Sequence, residues 1–334
     1  MSWYLEDGKD SDVVVSSRVR IARNIAGKKF VSTASDEELK DVLMTIKNSN
    51  IDSDLHFINL SNLDELMKNS LVEKRVISRD LLEMKETGIL LNDTEDISIM
   101  INEEDHLRIQ VMKPGFNLDE ALSDAIRVDE KISSKINYAY NDKYGFLTAC
   151  PTNLGTGLRA SVMLHLPALR LTGKIEKVLE VVNKVNLNVR GVYGEGTEAI
   201  GDLYQVSNKI SLGVTEEEIV ENVKLIVQKL IEQERKAREY LKNQGETFED
   251  KISRTYGNLV YARKMTYSEC AKIISIVRLG ISMGIITEID NKKLNKISIL
   301  TKPATLQKYL KKELSAEERD IERAKVIKQI IESK

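Results

Sequence analysis

The chain of 334 residues carries a formal net charge of −2, with 42% hydrophobic and 31% charged residues, which is enough apolar material for a sizeable core. That near-balance excludes a global basic field for nucleic acid, so an anion must be met by a local cluster of charge. Two cysteines, Cys150 and Cys270, are too few for a disulfide framework or a zinc cage, and no apolar run approaches the roughly 18 residues of a membrane span.

The polar, acidic start MSWYLEDGKD lacks a secretory h-region, and a cytoplasmic location is expected. Next, VVVSSRVRIARN (13–24) runs from β-branched residues into Arg18, Arg20 and Arg23 with no carboxylate among them. As a strand it sets Arg18 and Arg20 on one face and Val19 and Ile21 on the other. DEELKDVLMTIKNS has the apolar spacing of an amphipathic helix. ISIMI and HLRIQVM predict two strands joined by the turn NEED, with Leu107, Ile109 and Val111 facing the core and His106, Arg108 and Gln110 opposite. The plain reading of Glu103, Glu104 and Asp105 is a solvated acidic turn. FNLDEALSDAIRVDEKISSKI predicts a helix, and GFLTA, LRASVMLHL and LNVRGVY predict strands. In CPTNLGTGLRASVMLHL, Gly155 and Gly157 permit unusual backbone angles before a strand whose Arg159, Ser161 and Met163 share its polar face. Thr215 opens a long helix whose second half is almost wholly polar. The rest is helical, with candidate capping boxes at Thr266/Glu269 and Ser315/Glu318. An α+β domain over 1–225 followed by a smaller all-helical domain over 226–334 is expected.

No GxxxxGK[ST] loop and no HRD or DFG signature is present. Gly194, Gly196 and Ala199 formally satisfy GxGxxA, but Glu195 would face the pyrophosphate and AIGDLYQVSN reads as strand, so a dinucleotide site is rejected. What repeats is one design: Arg18, Arg20, Arg108, Arg159 and Arg190 leave strands on a polar face. Such a face repels itself without a polyanion, and a nucleoside triphosphate matches guanidinium forks. Glu104 and Glu195 have the opposite character and suit a cationic co-substrate.

VSSRVRIARN, NEEDHLRIQ, CPTNLGTGLRASV and VRGVYGEGTEA, in that order over residues 12–212, resemble the catalytic core of the phosphagen (guanidino) kinases, and most closely the bacterial protein-arginine kinases of the McsB type. The resemblance implies a glutamine-synthetase-like antiparallel sheet flanked by helices, with ATP and Mg2+ lying across it and no metal ligand from protein side chains. It assigns the nucleotide to Ser16, Ser17, Arg18, Val19 and Arg20, to Arg108, to Arg159, Ala160, Ser161, Val162 and Met163, and to Arg190, Gly191, Val192, Tyr193, Gly194 and Glu195. Glu104 and Glu195 match the carboxylates that hold the guanidinium, and Cys150 matches the cysteine that tunes that site. Arg75 stands where the family usually has a histidine and is expected to contact the nucleotide. Tyr193 replaces a second arginine of the small-molecule kinases.

Only fifteen residues precede Ser16, where those kinases carry a helical domain, so an open site for arginine on a protein is expected. The rivals are a kinase for free arginine and a non-catalytic module that binds phosphoarginine or nucleotide. By resemblance the partners are arginine-bearing proteins, a zinc-binding activator, a heat-shock repressor and a Clp-type unfoldase, in a homo-oligomer without membrane or nucleic acid. RDIERA near the C-terminus (Arg319, Asp320, Ile321, Glu322, Arg323, Ala324) resembles the RDxxRA motif that binds phosphoarginine allosterically. On residues alone Arg319 and Arg323 are like charges on one helical face.

Overall fold

The computed structural model describes residues 2–193 and 199–333; Gly194 and Glu195 lie outside the described residues, as do the side chains of Val192 and Tyr193. The strands are β1 (Val14–Arg23), β2 (His56–Asn59), β3 (Gly88–Leu91), β4 (Ile97–Ile101), β5 (Leu107–Pro114), β6 (Tyr140–Asn141), β7 (Gly145–Phe146), β8 (Leu158–His165), β9 (Leu187–Tyr193) and β10 (Ala199–Asn208). All but β6 and β7 join one eight-stranded antiparallel sheet in the order β2-β3-β4-β5-β1-β8-β10-β9. β1 lies near its centre, with Val19 and Ile21 fully buried on its core face. GFLTA, expected as a strand, contributes only the two residues of β7, since Gly145 turns at a φ of +72° and the chain then enters a glycine loop. β2 and β3, too short and irregular to show a period, were not expected.

The helices of the first part are α1 (Asp36–Asn48), α2 (Glu65–Glu73), α3 (Leu118–Ser133), α4 (Pro167–Leu171) and α5 (Ile175–Asn183). They are followed by α6 (Glu216–Lys242), α7 (Glu246–Tyr261), α8 (Tyr267–Ser282), α9 (Asn291–Leu300), α10 (Pro303–Leu310) and α11 (Ala316–Glu332). α1, α3 and α6 cover the apolar face of the sheet, where Val19, Ile109, Val111, Ala160 and Val162 are completely buried. α2 covers part of the other face through a smaller cluster around Leu71, Leu81 and Met100.

The polar second half of α6 does not run into solvent. Glu234 is fully buried and accepts the N–H groups of Ala168 and Leu169, each at 3.0 Å, so it caps α4. Arg238 pairs with Glu234 at 3.0 Å and donates to the Asp12 carbonyl at 2.9 Å. The helix is buried on both halves because its charges have fixed partners, which spacing in a sequence does not display. The junction expected at 225/226 falls inside this uninterrupted helix. Ser315 and Glu318 form the expected reciprocal capping box, whereas at Thr266 only the hydroxyl accepts, from Glu269 N–H.

Candidate active site

Antiparallel register brings the arginines together. Arg20 stands opposite Gln110 of β5 and Arg159 of β8; Arg18 stands opposite Met112 and Ser161; Arg108 pairs with Ala22 and Arg190 with Gln205. Side chains from four strands therefore meet on the face away from α3 and α6. Arg18 donates from Nε to Ser161 Oγ at 3.1 Å and from Nη2 to Gln205 Oε1 at 3.0 Å, neutral acceptors that orient the fork without cancelling its charge. Arg159 Nη2 donates to Ser207 Oγ at 3.1 Å, and its buried Nε has no hydrogen-bond partner among the described residues. Among those residues, Arg18, Arg20, Arg75, Arg159 and Arg190 form no ion pair with a carboxylate. Burial, then Arg75, Arg159 and Arg108, push Arg18 down to about 9. Arg20 is also held well below the usual arginine value, by burial and then by Arg18, Arg108 and Arg159, with Glu103 opposing. The face is charged and desolvated, with carboxylates beside Arg108 alone of these arginines among the described residues, which is the state an anion of several charges relieves.

Arg75 reaches this face from the turn after α2. It lines a cavity with Ser16, Arg18, Ser161, Met163 and Gln205. Arg159 and Arg190 line a neighbouring cavity with Asn153, Asn188 and Lys209. The expected nucleotide segments divide by strand alternation. Ser16, Arg18, Arg159, Ser161 and Met163 line the cavities and Arg20 shares their face of the sheet, whereas Val19, Ala160 and Val162 face the core, and Ser17 donates to the Gly115 carbonyl at 2.8 Å. Arg23 also leaves the set. It pairs with Asp129 at 2.7 Å and its guanidinium stacks 3.5 Å from the Phe146 ring centroid, 106 residues away from its carboxylate in sequence.

The NEED turn is not solvated. Glu103 is 1% exposed, pairs with Arg108, and accepts from Ser78 Oγ at 2.6 Å and from the Glu104 N–H at 2.8 Å. Asp105 is buried and accepts from Asn24 Nδ2 at 2.6 Å and Ala149 N–H at 2.7 Å, tying the hairpin to the loop of Cys150. His106, expected on the polar face, is buried, with Nδ1 accepting from Ile25 N–H at 3.0 Å. A type of turn that costs nothing to leave in water has instead been built into a bracket. Its one accessible carboxylate is Glu104, whose side chain is 41% exposed.

Glu104 Oε2 lies 3.4 Å from Arg108 Nη2 and 3.4 Å from Asn153 Nδ2. Partial burial raises its pKa above the usual glutamate range, opposed by Arg108; Asp105 and Glu103 add to the rise, and a hydrogen bond with Cys150 opposes it. Cys150 is half-buried, 3.0 Å from Thr152 Oγ1. Glu104, Arg108, Asn153 and Cys150 are thus gathered at one end of the arginine face. Glu195 lies outside the described residues. Glu103 and Asp105, expected in a solvated turn, are structural instead; Asn153, inside the CPTNLGTG motif, and Gln205, which alternates correctly on a strand, were not expected at the site. Gly155 explains the loop's glycine: at φ +106° an added Cβ would lie 2.4 Å from the Ser211 carbonyl oxygen.

At the far end of the chain, Arg319 and Arg323 do not repel each other across one open face. Arg323 is 1% exposed and donates to the Thr301 carbonyl and the Met265 carbonyl, each at 2.8 Å, and to Asp320 Oδ1 at 2.7 Å. Arg319 is half-buried and donates to the Leu314 carbonyl at 3.0 Å. Glu322 pairs with Lys325, and Ala324 is packed against the core. Replacing Arg323 with Ala is expected to cost about 3–5 kcal/mol, because it strands a carboxylate and two carbonyls. A thermal melt that leaves the transition unmoved would refute this structural role.

A twisted antiparallel sheet with a guanidinium-lined face and a carboxylate at its end is the architecture of guanidino kinases. It superposes on the duplicated taurocyamine kinase of Schistosoma mansoni with a TM-score of 0.62 at 31% identity, covering 70% of this chain and 34% of that one. A lombricine kinase gives a TM-score of 0.58 at 29% identity, over 70% of this chain and 71% of that one. The ATP:guanido phosphotransferase C-terminal catalytic domain matches residues 37–237, and the protein-arginine kinase McsB C-terminal domain matches residues 245–334. The protein-arginine kinase of Halothermothrix orenii is 45% identical over 331 residues, 98% of this chain and 95% of that protein. That of Bacillus subtilis is 44% identical over 335 residues, 98% of this chain and 92% of that protein. The chain belongs to the protein-arginine kinase family of ATP:guanido phosphotransferases. It is a phosphotransferase with ATP as donor.

Proposed function

We propose that the chain moves the γ-phosphoryl group of ATP onto the guanidinium of arginine side chains displayed on proteins. The observation that carries this reading is the placement of Glu104, a half-exposed carboxylate at the end of a desolvated arginine face on which, among the described residues, Arg108 has carboxylate partners but Arg18, Arg20, Arg75, Arg159 and Arg190 have none. Arg18, Arg20, Arg75, Arg108, Arg159 and Arg190 hold and neutralise the phosphates. Glu104, with Glu195 as second carboxylate, accepts two N–H groups of the incoming guanidinium. A guanidinium loses its proton only above about pH 12, so the base must take that proton as phosphorus approaches. The N–P bond forms, the bond from the γ-phosphorus to the bridging oxygen breaks, the electron pair leaves on ADP, and the proton ends on a carboxylate. Phosphoryl transfer otherwise needs position and charge stabilisation, which preorganised guanidiniums supply. Arginines are donors only and cannot ligate a metal; Mg2+ arriving with the nucleotide would add to the charge neutralisation that the guanidiniums supply.

Incubation with γ-labelled ATP and a basic protein is expected to leave acid-labile label on protein arginine. Label on free arginine alone would overturn the protein substrate. Nucleotide binding without any transfer would leave a binding module.

Further elements of this reading rest on the family resemblance. They are a cytoplasmic location, a homo-oligomer, a zinc-binding activator, a heat-shock repressor among the substrates and delivery of marked proteins to a Clp-type unfoldase. The phosphoarginine site at Arg319–Ala324 belongs with them. There Arg319 and Asp320 are the accessible groups, and Arg323 holds the helix in place. In a comparison of activation by added phosphoarginine, Arg319→Ala is expected to lose the response while keeping the wild-type melting temperature. An undiminished response would remove the site from this helix.

A further inference from the structure

The turn after α2 is where the C-terminal helices touch the phosphate-binding face. Glu73, the last residue of α2, accepts the Ala304 N–H at 2.8 Å, the Thr305 N–H at 2.7 Å and the Thr305 hydroxyl at 2.7 Å. α10 begins with Pro303, and its own N-cap residue, Lys302, offers no side-chain acceptor. Glu73 is therefore the cap of α10, supplied from a helix more than two hundred residues away in sequence, and it meets the positive end of that helix. Lys302 returns the contact, Nζ donating to the Glu73 carbonyl.

Two residues beyond Glu73, Arg75 sits at φ +64°, a conformation that costs a side-chain-bearing residue and persists only when its surroundings enforce it. Val72 and Gln110 hold its backbone: the Arg75 N–H donates to the Val72 carbonyl at 2.9 Å and its carbonyl accepts from Gln110 Nε2 at 2.8 Å. Its guanidinium shares a cavity with Arg18, and its charge acts on Lys302. Burial, then the charge of Arg75, bring Lys302 down to about 7, with Glu73 opposing. The Glu73 carboxylate is the charge that opposes the pull of Arg75 on Lys302. Replace it with an amide and that opposition is lost, while only one oxygen remains to accept the bonds that two oxygens now take from the first turn of α10.

We propose that Glu73 is a positioning residue for the nucleotide site: by capping α10 and anchoring Lys302 it fixes the turn that aims Arg75 at the phosphates. The inference rests on the reading that Arg75 contacts the nucleotide. The joint also continues into the C-terminal segment, because Thr301, adjacent to Lys302, is the residue whose carbonyl accepts from Arg323 Nε. Seating of α10 and the shape of the phosphate pocket are one structural unit.

The test is calorimetric titration of the full chain with MgADP, paired with steady-state kinetics, for Glu73→Gln, Arg75→Ala and the double variant. Glu73→Gln is expected to weaken MgADP binding about tenfold, within the range of coupled sites, and to raise KM for ATP more than it lowers kcat. In the Arg75→Ala background the same change is expected to add nothing. Wild-type affinity in Glu73→Gln, or losses that simply add in the double variant, would overturn the positioning role. Unchanged affinity in Arg75→Ala alone would instead remove Arg75 from the nucleotide site, and the proposal with it. Thr305→Val takes away only one of the three cap bonds; a smaller loss with the same non-additivity is expected, so the test stands even where Glu73→Gln unfolds.

Discussion

Glu104→Gln is expected to slow N–P bond formation by about a hundred- to ten-thousandfold while leaving MgADP affinity within twofold of wild type. The amide keeps the size and one acceptor of the carboxylate but cannot take a proton. Among the described residues Glu104 pairs with a single arginine of the face, Arg108, at 3.4 Å, so ground-state nucleotide binding has little reason to change. A pH profile sharpens the test. Burial holds the Glu104 pKa above the usual glutamate range, and only the ionised form serves as base. Activity therefore falls on the acid side at a higher pH than an exposed glutamate would dictate, and is present above it. The variant lacks that limb. A wild-type rate in Glu104→Gln would dismiss this carboxylate from the chemistry.

Arg20→Gln is expected to produce two opposite effects. The rate should drop by the equivalent of about 2.7–4 kcal/mol, the usual consequence of losing one preorganised donor to a transition state. The melting temperature of the ligand-free protein should rise. Burial and three neighbouring arginines lower the pKa of Arg20, so the folded state carries this charge less favourably than the unfolded chain does. The sign follows from proton counts. The unfolded chain binds more protons than the folded one between the depressed and ordinary pKa values, so stability rises with pH there. For Arg18 that window opens at about 9. At neutral pH the penalty is fully present, and a bound triphosphate relieves it. Wild type should thus gain more thermal stability from MgADP than Arg20→Gln does. A melting temperature that falls in Arg20→Gln would mark the guanidinium as structural.

Sequence periodicity alone determined that Arg18, Arg20, Arg108 and Arg159 leave their strands on polar faces, because alternation is a local property of an extended backbone. It also determined the helix starts at Thr215 and Ser315, since a hydroxyl and a carboxylate three residues apart satisfy the first free N–H groups without help from elsewhere. Which charges are free and which are structural was decided by tertiary structure. Arg23 lies three residues beyond Arg20 on the same strand yet faces the core side and meets Asp129; Glu103 and Glu104 are neighbours, yet one is sealed against Arg108 and the other is left half-open. Arg323 looks like a solvated partner of Arg319 until the carbonyls of Thr301 and Met265 come to it, 22 and 58 residues away. Glu73 carries no motif, and its partner is a helix end 231 residues on. A charge's role depends on desolvation and on which opposite charge stands within a few ångströms. Both quantities exist only after strands and helices distant in sequence have packed.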